Sequence, residues 1–404
     1  MTRRIVLGVS GGIAAYKACE LLRLCTEAGH QVRVVPTASA LNFVGAPTWE
    51  ALSGQPVRTE VWQDVPEVAH VRLGQTADLV AVVPATADLM ARAAHGQADD
   101  LLTATLLTAR CPVVYAPAMH TEMWEHPATV DNVATLRRRG AVVVEPDSGR
   151  LTGPDTGKGR LPDPAALFEV LSRLLAAGPG RRADLSGRHL VVTAGGTREY
   201  LDPVRFLGNR SSGKQGYAFA RAAVARGAAV TLIAANVTLP TPAGVELVRV
   251  DTTAVLRDEL LARAAKADAM VFAAAPADFR PAVYQDRKIK KPPDGAAPTI
   301  ELTTNPDIAA ELGAAKRPGQ VLVAFAAETN DLLEHARDKL ARKRADLIVA
   351  NAVGDGLAFG TDTNSATVLG ADGSEVSLPD MTKDELADRV LDLVVARFGE
   401  GTER

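Results

Sequence analysis

Ile5-Val6-Leu7-Gly8-Val9-Ser10-Gly11-Gly12-Ile13-Ala14-Ala15 opens the chain almost from its first residue. Ile5–Val9 is a short, β-branched apolar run and reads as a buried strand. Ser10-Gly11-Gly12 breaks it, Ile13 to Ala28 carries helical apolar spacing, and Gly29 stops that helix. Strand, small-residue turn and helix make the first half of a βαβ unit. The turn falls at a strand's carboxyl end, where open α/β sheets bind ligands. Its glycines let backbone approach a phosphate, and the helix N-terminus adds amide donors and a positive dipole end. The motif is not GxGxxG, and a plain tight turn uses the same glycines, so by itself it leaves both readings open.

The pattern recurs downstream. Val32–Val35, Asp78–Val83 (ended by Pro84), Val113–Tyr115 (ended by Pro117) and Ala141–Val144 read as strands separated by helix-length segments, and Leu167–Ala177 as a closing helix. Gly178-Pro179-Gly180-Arg181-Arg182-Ala183-Asp184 has linker composition. Strands then resume at Leu190–Thr193, Val230–Ile233, Ala269–Ala273, Val321–Phe325 and Leu347–Ala350. Thr367–Leu369 is expected as a short edge strand and Lys383–Phe398 as a C-terminal helix. The expected fold is α/β, two tandem Rossmann-like domains with mostly parallel sheets: residues 1–177, a linker at 178–186, and residues 187–404.

Composition narrows the function. Of 404 residues 47% are apolar, enough for two cores, and only 4% are aromatic, so Ala, Val and Leu fill them. A net charge of -3 argues against a general nucleic-acid binder. Cys19, Cys25 and Cys111 show no CxxC pairing, which fits a reducing compartment. No apolar run reaches signal-peptide or membrane-spanning length without Pro or charge, so the expected location is cytoplasmic, with no membrane partner.

In the first domain, candidate ligand-side residues follow each strand. Ser10, Gly11 and Gly12 follow the first. Thr37 and Ser39 follow the second, where helix capping is the simpler reading. Pro84-Ala85-Thr86-Ala87-Asp88 and Ala116-Pro117-Ala118-Met119 are small, Pro-fixed turns suited to packing on a flat ring. His70 reads as a half-exposed loop histidine, or as a base if it faces a ligand pocket. Ser10–Lys17, His70, Pro84–Asp88, Pro117–Met119 and Pro146-Asp147-Ser148-Gly149 together resemble the FMN-dependent cysteine decarboxylases that act on 4'-phosphopantothenoylcysteine. The resemblance implies a flavodoxin-like FMN domain. It implies that Ser10, Gly11, Gly12, Thr37, Ser39, Thr86 and Met119 hold FMN, with His70 and His120 catalytic. FMN answers a chemical need: direct loss of CO2 from an N-acylcysteine leaves an unstabilised carbanion, whereas prior oxidation of the thiol carbon creates an electron sink. Two positions depart from the family. His120 replaces the Asn of Pro-Ala-Met-Asn, and Gly153 stands where many members carry a proton-donating flap cysteine. Thr152, Asp155, His120 or water are the available substitutes. The Gly-rich flap, ending Gly157-Lys158-Gly159-Arg160, reads as a lid.

In the second domain, Thr193-Ala194-Gly195-Gly196-Thr197-Arg198-Glu199 again reads as a phosphate turn. Gly208 to Lys214 approaches a Walker A loop, but Gln215 replaces the Mg2+-binding Ser/Thr and no long apolar strand precedes it, which argues against a P-loop. Ala274-Ala275-Pro276-Ala277-Asp278, Arg287-Lys288-Ile289-Lys290-Lys291-Pro292-Pro293, Asn305-Pro306-Asp307-Ile308 and Phe325–Thr329 are further turn motifs. Lys339 and Lys343 lie four apart on one helix face. As a set these resemble the CTP-using phosphopantothenate–cysteine ligases from about residue 188 to 400, with Pro276 in a usually aliphatic position. The resemblance implies Asn209 and Lys288 in acyl-cytidylate chemistry. It implies CTP contacts from Ala274, Ala275, Asp278, Lys288, Asn305, Pro306, Asp307, Ile308, Phe325, Lys339 and Lys343. Ser211, Ser212, Gly213 and Lys214 fall on the phosphopantothenate side. Mg2+ would offset triphosphate charge, with its ligands unassigned. The whole chain is thus similar to the bifunctional decarboxylase–ligases of coenzyme A biosynthesis, with small-molecule partners (4'-phosphopantothenate, cysteine, CTP) and homo-oligomers through both domains. The alternative is an active ligase whose N-terminal half only binds FMN as an assembly or regulatory module.

Overall fold

The order of parallel strands decides where a ligand can sit, and the computed structural model gives that order. It describes residues 2–60, 68–178, 183–291, 297–328, 331–352 and 361–400. The chain forms two compact units: Met1–Gly187 with Ala223–Ala229 and Thr241–Val245, and Arg188–Ala222, Val230–Pro240 and Glu246–Arg404.

In the first unit the elements are β1 (Arg4–Val9), α1 (Ala15–Glu27), β2 (Gln31–Pro36), a 3-10 turn (Ala38–Asn42), α2 (Ala46–Ser53), α3 (Ala69–Thr76) and β3 (Leu79–Ala85). Then follow α4 (Ala87–His95), α5 (Leu101–Thr108), β4 (Val113–Pro117), α6 (Thr121–Glu125), α7 (Pro127–Arg138), β5 (Val142–Val143), β6 (Asp147–Arg150), β7 (Thr156–Arg160) and α8 (Pro164–Ala177). The sheet runs β2-β1-β3-β4-β5, and every pairing in it is parallel. β1 is buried from Ile5 onward and β3 along its whole length. That is the signature of strands covered on both faces, and it explains their unbroken apolar sequences. Chain order reverses between β1 and β3, which makes the crevice beyond their carboxyl ends the topological switch point. The strands do not stop at the prolines as expected: β3 includes Pro84 and β4 includes Pro117. β6 and β7 form a separate antiparallel hairpin.

The expected linker is partly packed. Leu185 is fully buried, and Asp184 accepts two bonds from the buried Arg226 guanidinium, at 2.8 and 2.6 Å. Pro179–Arg182 lie outside the described residues.

The second unit comprises β8 (His189–Gly195), β9 (Glu199–Tyr200), β10 (Phe206–Leu207), α9 (Lys214–Ala225), β11 (Ala229–Ala235), β12 (Val245–Val250), α10 (Thr253–Ala264) and β13 (Ala269–Phe272). It continues with β14 (Phe279–Pro281), β15 (Leu302–Thr304), α11 (Ile308–Ala314), β16 (Val321–Glu328), α12 (Leu332–Arg342), β17 (Leu347–Ala352), β18 (Thr363–Gly370), β19 (Glu375–Thr382) and α13 (Lys383–Glu400). The main sheet runs β12-β11-β8-β13-β16-β17-β18-β19. β13 pairs parallel with β8 and β16, and β16 parallel with β17, while β18 and β19 are antiparallel additions. The expected edge strand at Thr367–Leu369 is the buried half of an eight-residue interior strand. The true edge is β19, whose Pro379 is tolerated because an edge strand need not donate on both sides.

Candidate functional sites

In the first unit, the β1 and β3 loops are locked together before any ligand is considered. The Ser10 hydroxyl donates to the Pro84 carbonyl at 2.7 Å and accepts from the Thr86 amide at 2.9 Å. Ser10 is buried, and its side chain shapes the turn. Gly11 is a steric requirement: a Cβ there would stand 2.4 Å from Ser39 Cβ and 2.9 Å from the Ser39 backbone carbon. Gly12 is different, since its Cβ would meet only Thr86 Cγ2, at 3.6 Å. Thr37 and Thr86 both cap: their hydroxyls accept from the amides of Ala40 and Leu89 at 3.3 Å. Each hydroxyl proton remains to donate elsewhere. No side chain caps α1, but the Ala15 and Lys17 amides already donate to the Gly12 and Ala14 carbonyls, at 2.9 and 3.0 Å, so anion binding falls to the other amides of the turn.

Across from this loop, Met119 and His120 form the turn after β4, and His120 is the N-cap residue of α6. The β6–β7 hairpin docks on that turn. The Met119 amide donates to the Gly159 carbonyl at 3.0 Å. A Cβ on Gly157 would stand 2.2 Å from Thr121 Oγ1. The two sides enclose a cleft of about 640 Å3, lined among others by Gly12, Lys17, Met119, His120, Thr152 and Arg160. Gly153, the position of the missing cysteine, sits at the hairpin tip with φ 61° and open space where a Cβ would be. Burial pushes the Lys17 ammonium below its ordinary value, aided by Arg160, and burial pushes the Asp147 carboxyl up. Arg137 and Lys158 hold the Glu145 carboxyl below its usual range although burial alone would raise it, with contacts of 2.7 and 2.6 Å.

His70 is not among the residues lining this cleft. It lies on α3, not in a loop, and its carbonyl accepts from the Thr108 hydroxyl at 2.8 Å. Its Nδ1 is buried and without a partner among the described residues. A larger groove of about 1230 Å3, lined by Arg137, Arg138, Arg139 and Trp124 among others, contains none of the predicted site residues. The smaller cleft lies at the strand ends, and strand topology is the stronger guide to a ligand site in this sheet.

In the second unit, the loops after β8 and β13 are stitched together. Thr193 and Thr197 hydroxyls accept from the amides of Ala274 and Ala277 at 3.0 and 2.9 Å. The Ala275 amide donates to the Gly195 carbonyl at 2.8 Å. Asn209 Nδ2 donates to the Pro276 carbonyl and Asn305 Nδ2 to that of Ala277, both at 2.9 Å. Asn209, Ala274–Asp278 and Asn305 are therefore one assembly at the strand ends. Buried Thr197 also meets buried Thr253, whose hydroxyl donates to Glu199 at 2.8 Å.

The remaining predicted residues divide by role. Asp307 caps α11 and pairs with Lys343 at 2.7 Å. Burial opposes its ionisation, but Lys343 and the Ala310 amide hold it below the ordinary range. The Ile308 side chain belongs to the core, so only its backbone can serve a ligand. Phe325 packs edge-on against Phe219 at 5.8 Å, and Lys339 lies on α12. Ser211 and Ser212 make only long local bonds to the amides of Gly213 and Lys214, at 3.4 and 3.5 Å, and Lys214 pairs with Asp362 at 2.7 Å. Pro306, Asp278 and Lys288 are exposed. Lys17, Asp202 and Glu199 were not singled out in the sequence. Asp202 had a legible signal in its Asp-Pro turn, whereas Lys17 and Glu199 had none apart from their motifs.

Two family models cover the two halves: Flavoprotein over residues 1–176, and the DNA/pantothenate metabolism flavoprotein C-terminal domain over residues 185–398. The chain is 59% identical to the coenzyme A biosynthesis bifunctional protein CoaBC of Mycobacterium bovis, over 97% of this chain and 96% of that one. The chain belongs to the bifunctional coenzyme A biosynthesis family. The Bacillus subtilis member is 43% identical over 100% of this chain and 99% of its own. A crystal structure of the C-terminal domain of a CoaBC protein matches with 35% identity and a TM-score of 0.47, covering 54% of this chain and 99% of that one. Membership over the full length favours an enzyme with two working halves over a flavin-binding module attached to a ligase.

Proposed function

We propose that the second unit joins cysteine to 4'-phosphopantothenate with CTP, and that the first unit decarboxylates the product with FMN to give 4'-phosphopantetheine. The observation that carries the first assignment is the cleft between the start of α1, the turn after β4 and the hairpin, which gathers Gly12, Met119 and His120.

FMN would span that cleft, which Gly12 and Met119 line, and the adjoining Ser10–Gly12 loop, since Ser10, Gly11, Thr37, Ser39 and Thr86 are not among the cleft's lining residues. The Ser10–Gly12 loop suits its phosphate, with Ser39 and Thr86 packed against Gly11 and Gly12 and the Thr37 amide bonded to Val9. Bound there, FMN supplies a reversible two-electron sink that makes loss of CO2 feasible. The chain's own residues bind, orient and exclude water. His120 donates a hydrogen bond to the substrate carboxylate, as the family's Asn does. The hairpin covers the cleft, and Thr152, Asp155, His120 or water takes the proton-donating role that Gly153 cannot fill. His70, outside the cleft of its own chain, acts as base in the cleft of a second copy, so the working form is a homo-oligomer.

In the second unit a carboxylate must first gain a leaving group, because expelling oxide is prohibitive. Coupling to CMP provides one, and the cysteine amine then attacks the acyl-cytidylate. Ala274, Ala275, Asp278 and Asn305–Ile308 cradle CTP with Phe325, while Lys288, Lys339 and Lys343 offset its charge. Asn209 orients the acyl-cytidylate, and Ser211–Lys214 hold the phosphopantothenate end. Mg2+ would enter with the triphosphate, since the ion is commonly held by substrate phosphates and one or two carboxylates. Among the described residues no helix is long and apolar enough to cross a membrane, and we assign the work to the cytoplasm.

The two half-reactions test this separately. Supplied 4'-phosphopantothenoylcysteine should release CO2 without CTP. Supplied 4'-phosphopantothenate should release pyrophosphate from CTP even before cysteine is added. Pyrophosphate release independent of 4'-phosphopantothenate would refute the acyl-cytidylate route.

A further inference from the structure

The Asp-Pro-Val-Arg segment lies between β9 and β10, and its carboxylate is entirely buried. Asp202 Oδ1 accepts from the amides of Val204 and Arg205, at 2.8 and 2.9 Å. Those bonds form its own turn. Oδ2 reaches elsewhere: it accepts from the Ile289 amide at 3.1 Å, 87 positions away, and pairs with Arg205 Nε at 3.0 Å. Arg205 Nη2 donates in turn to the Ile289 carbonyl. Both backbone groups of Ile289 are thus held by one acid–base pair. The Gln285 amide donates to the Leu201 carbonyl at 3.0 Å and fixes the start of the same loop.

Ile289 directly follows Lys288, whose side chain is exposed and makes no fixed contact of its own among the described residues. A flexible lysine on a loop is placed only as well as its backbone is placed. Carboxylates accepting several amide bonds are strongly favoured as anions. Asp202 fits this, since the three amides and Arg205 keep it ionised against its burial.

We propose that Asp202 is a positioning residue for ligation: through Ile289 it anchors the Arg287–Lys291 loop and sets where Lys288 meets the reacting nucleotide. The inference rests on the ligase reading of this unit. Asp202→Asn is a selective probe, because the amide oxygen can keep the turn bonds while the amide nitrogen cannot accept from Ile289. Ile289→Pro removes the donor from the other side and leaves Asp202 and its turn intact.

The test uses the full-length protein and two readouts. Steady-state ligation with CTP should show kcat lowered on the order of tenfold or more in each single variant, with KM for CTP raised by a smaller factor, as expected when a lysine that meets both CTP and the reacting centre is misplaced. Because both changes break one hydrogen bond, the double variant should be no slower than the worse single. Limited trypsin digestion should cut faster after Arg287 and Lys290 in both, and after Lys288 in Asp202→Asn alone, because trypsin does not cleave a Lys-Pro bond. Wild-type kcat in either folded variant, or effects that multiply in the double, would overturn the proposal. If Asp202→Asn does not fold, Ile289→Pro alone decides by the same criterion. Trypsin also separates the two readings: a wild-type protein inactive with CTP defeats the ligase assignment, while the cutting rates still report on the anchor.

Discussion

Gly159 is pressed against Met119: a Cβ on Gly159 would lie 2.0 Å from the Met119 carbonyl oxygen, and the Met119 amide donates to Gly159 at 3.0 Å. Gly159 also holds φ 149°, in the region that favours glycine. The hairpin is thereby pinned to the turn that carries His120. Gly159→Ala should lift it and lower decarboxylation on the order of a hundredfold, with ligation by the same chain unchanged. Separate assays of the two half-reactions check this, and equal losses in both would argue against a local effect.

His70 and His120 are proposed to meet only between copies. His70→Asn and His120→Ala should each nearly abolish CO2 release. Refolding the two variants together should restore a measurable part of the activity, because mixed assemblies contain some clefts with both histidines. Absence of any recovery in verified mixed oligomers would place both residues in one chain's cleft.

The Glu145 carboxyl is held low by Arg137 and Lys158 against its burial. A depressed folded value stabilises above the unfolded value, about 4.3, and that contribution is lost as pH falls through the folded value. The thermal unfolding temperature should therefore drop as pH falls below about 4.3. Glu145→Gln should be less stable at neutral pH and lose part of that dependence. An unchanged acid profile in the variant would show the pair to be immaterial.

Lys343 is paired with Asp307 at 2.7 Å and is largely buried, so it is fixed near the start of α11. Lys343→Ala should raise KM for CTP roughly tenfold, the scale of one lost charge-assisted contact. A normal KM with reduced kcat would move Lys343 away from CTP binding.

Much of this was legible in the sequence because parallel strands buried on both faces are continuous apolar runs. Ile5–Val9, Val321–Phe325 and Leu347–Ala350 needed no more than that. The hairpin strands Asp147–Arg150 and Thr156–Arg160 are polar and Gly-rich. They form by docking on the Met119 turn, which no local pattern encodes. β12 and β19 are half-exposed edges, one carrying Glu246 and Arg249 and the other interrupted by Pro379 and Asp380, so neither presents a clear apolar face. Capping by Thr37 was legible in the sequence, whereas Thr86, read as part of a Pro-fixed turn, proves to cap α4 as well. That the Ser10 hydroxyl also closes the loop was not legible, because its partners Pro84 and Thr86 lie 74 and 76 positions away. The bond from the Ile289 amide to Asp202, across 87 positions, is hidden for the same reason.

The central claim is that one chain carries both half-reactions. The protein with FMN should be given 4'-phosphopantothenate, cysteine, CTP and Mg2+, and its products identified by mass spectrometry. The account predicts 4'-phosphopantetheine, CO2, CMP and pyrophosphate. Accumulation of 4'-phosphopantothenoylcysteine with no CO2, in a preparation with FMN bound, would contradict it and leave the first unit a flavin-binding module.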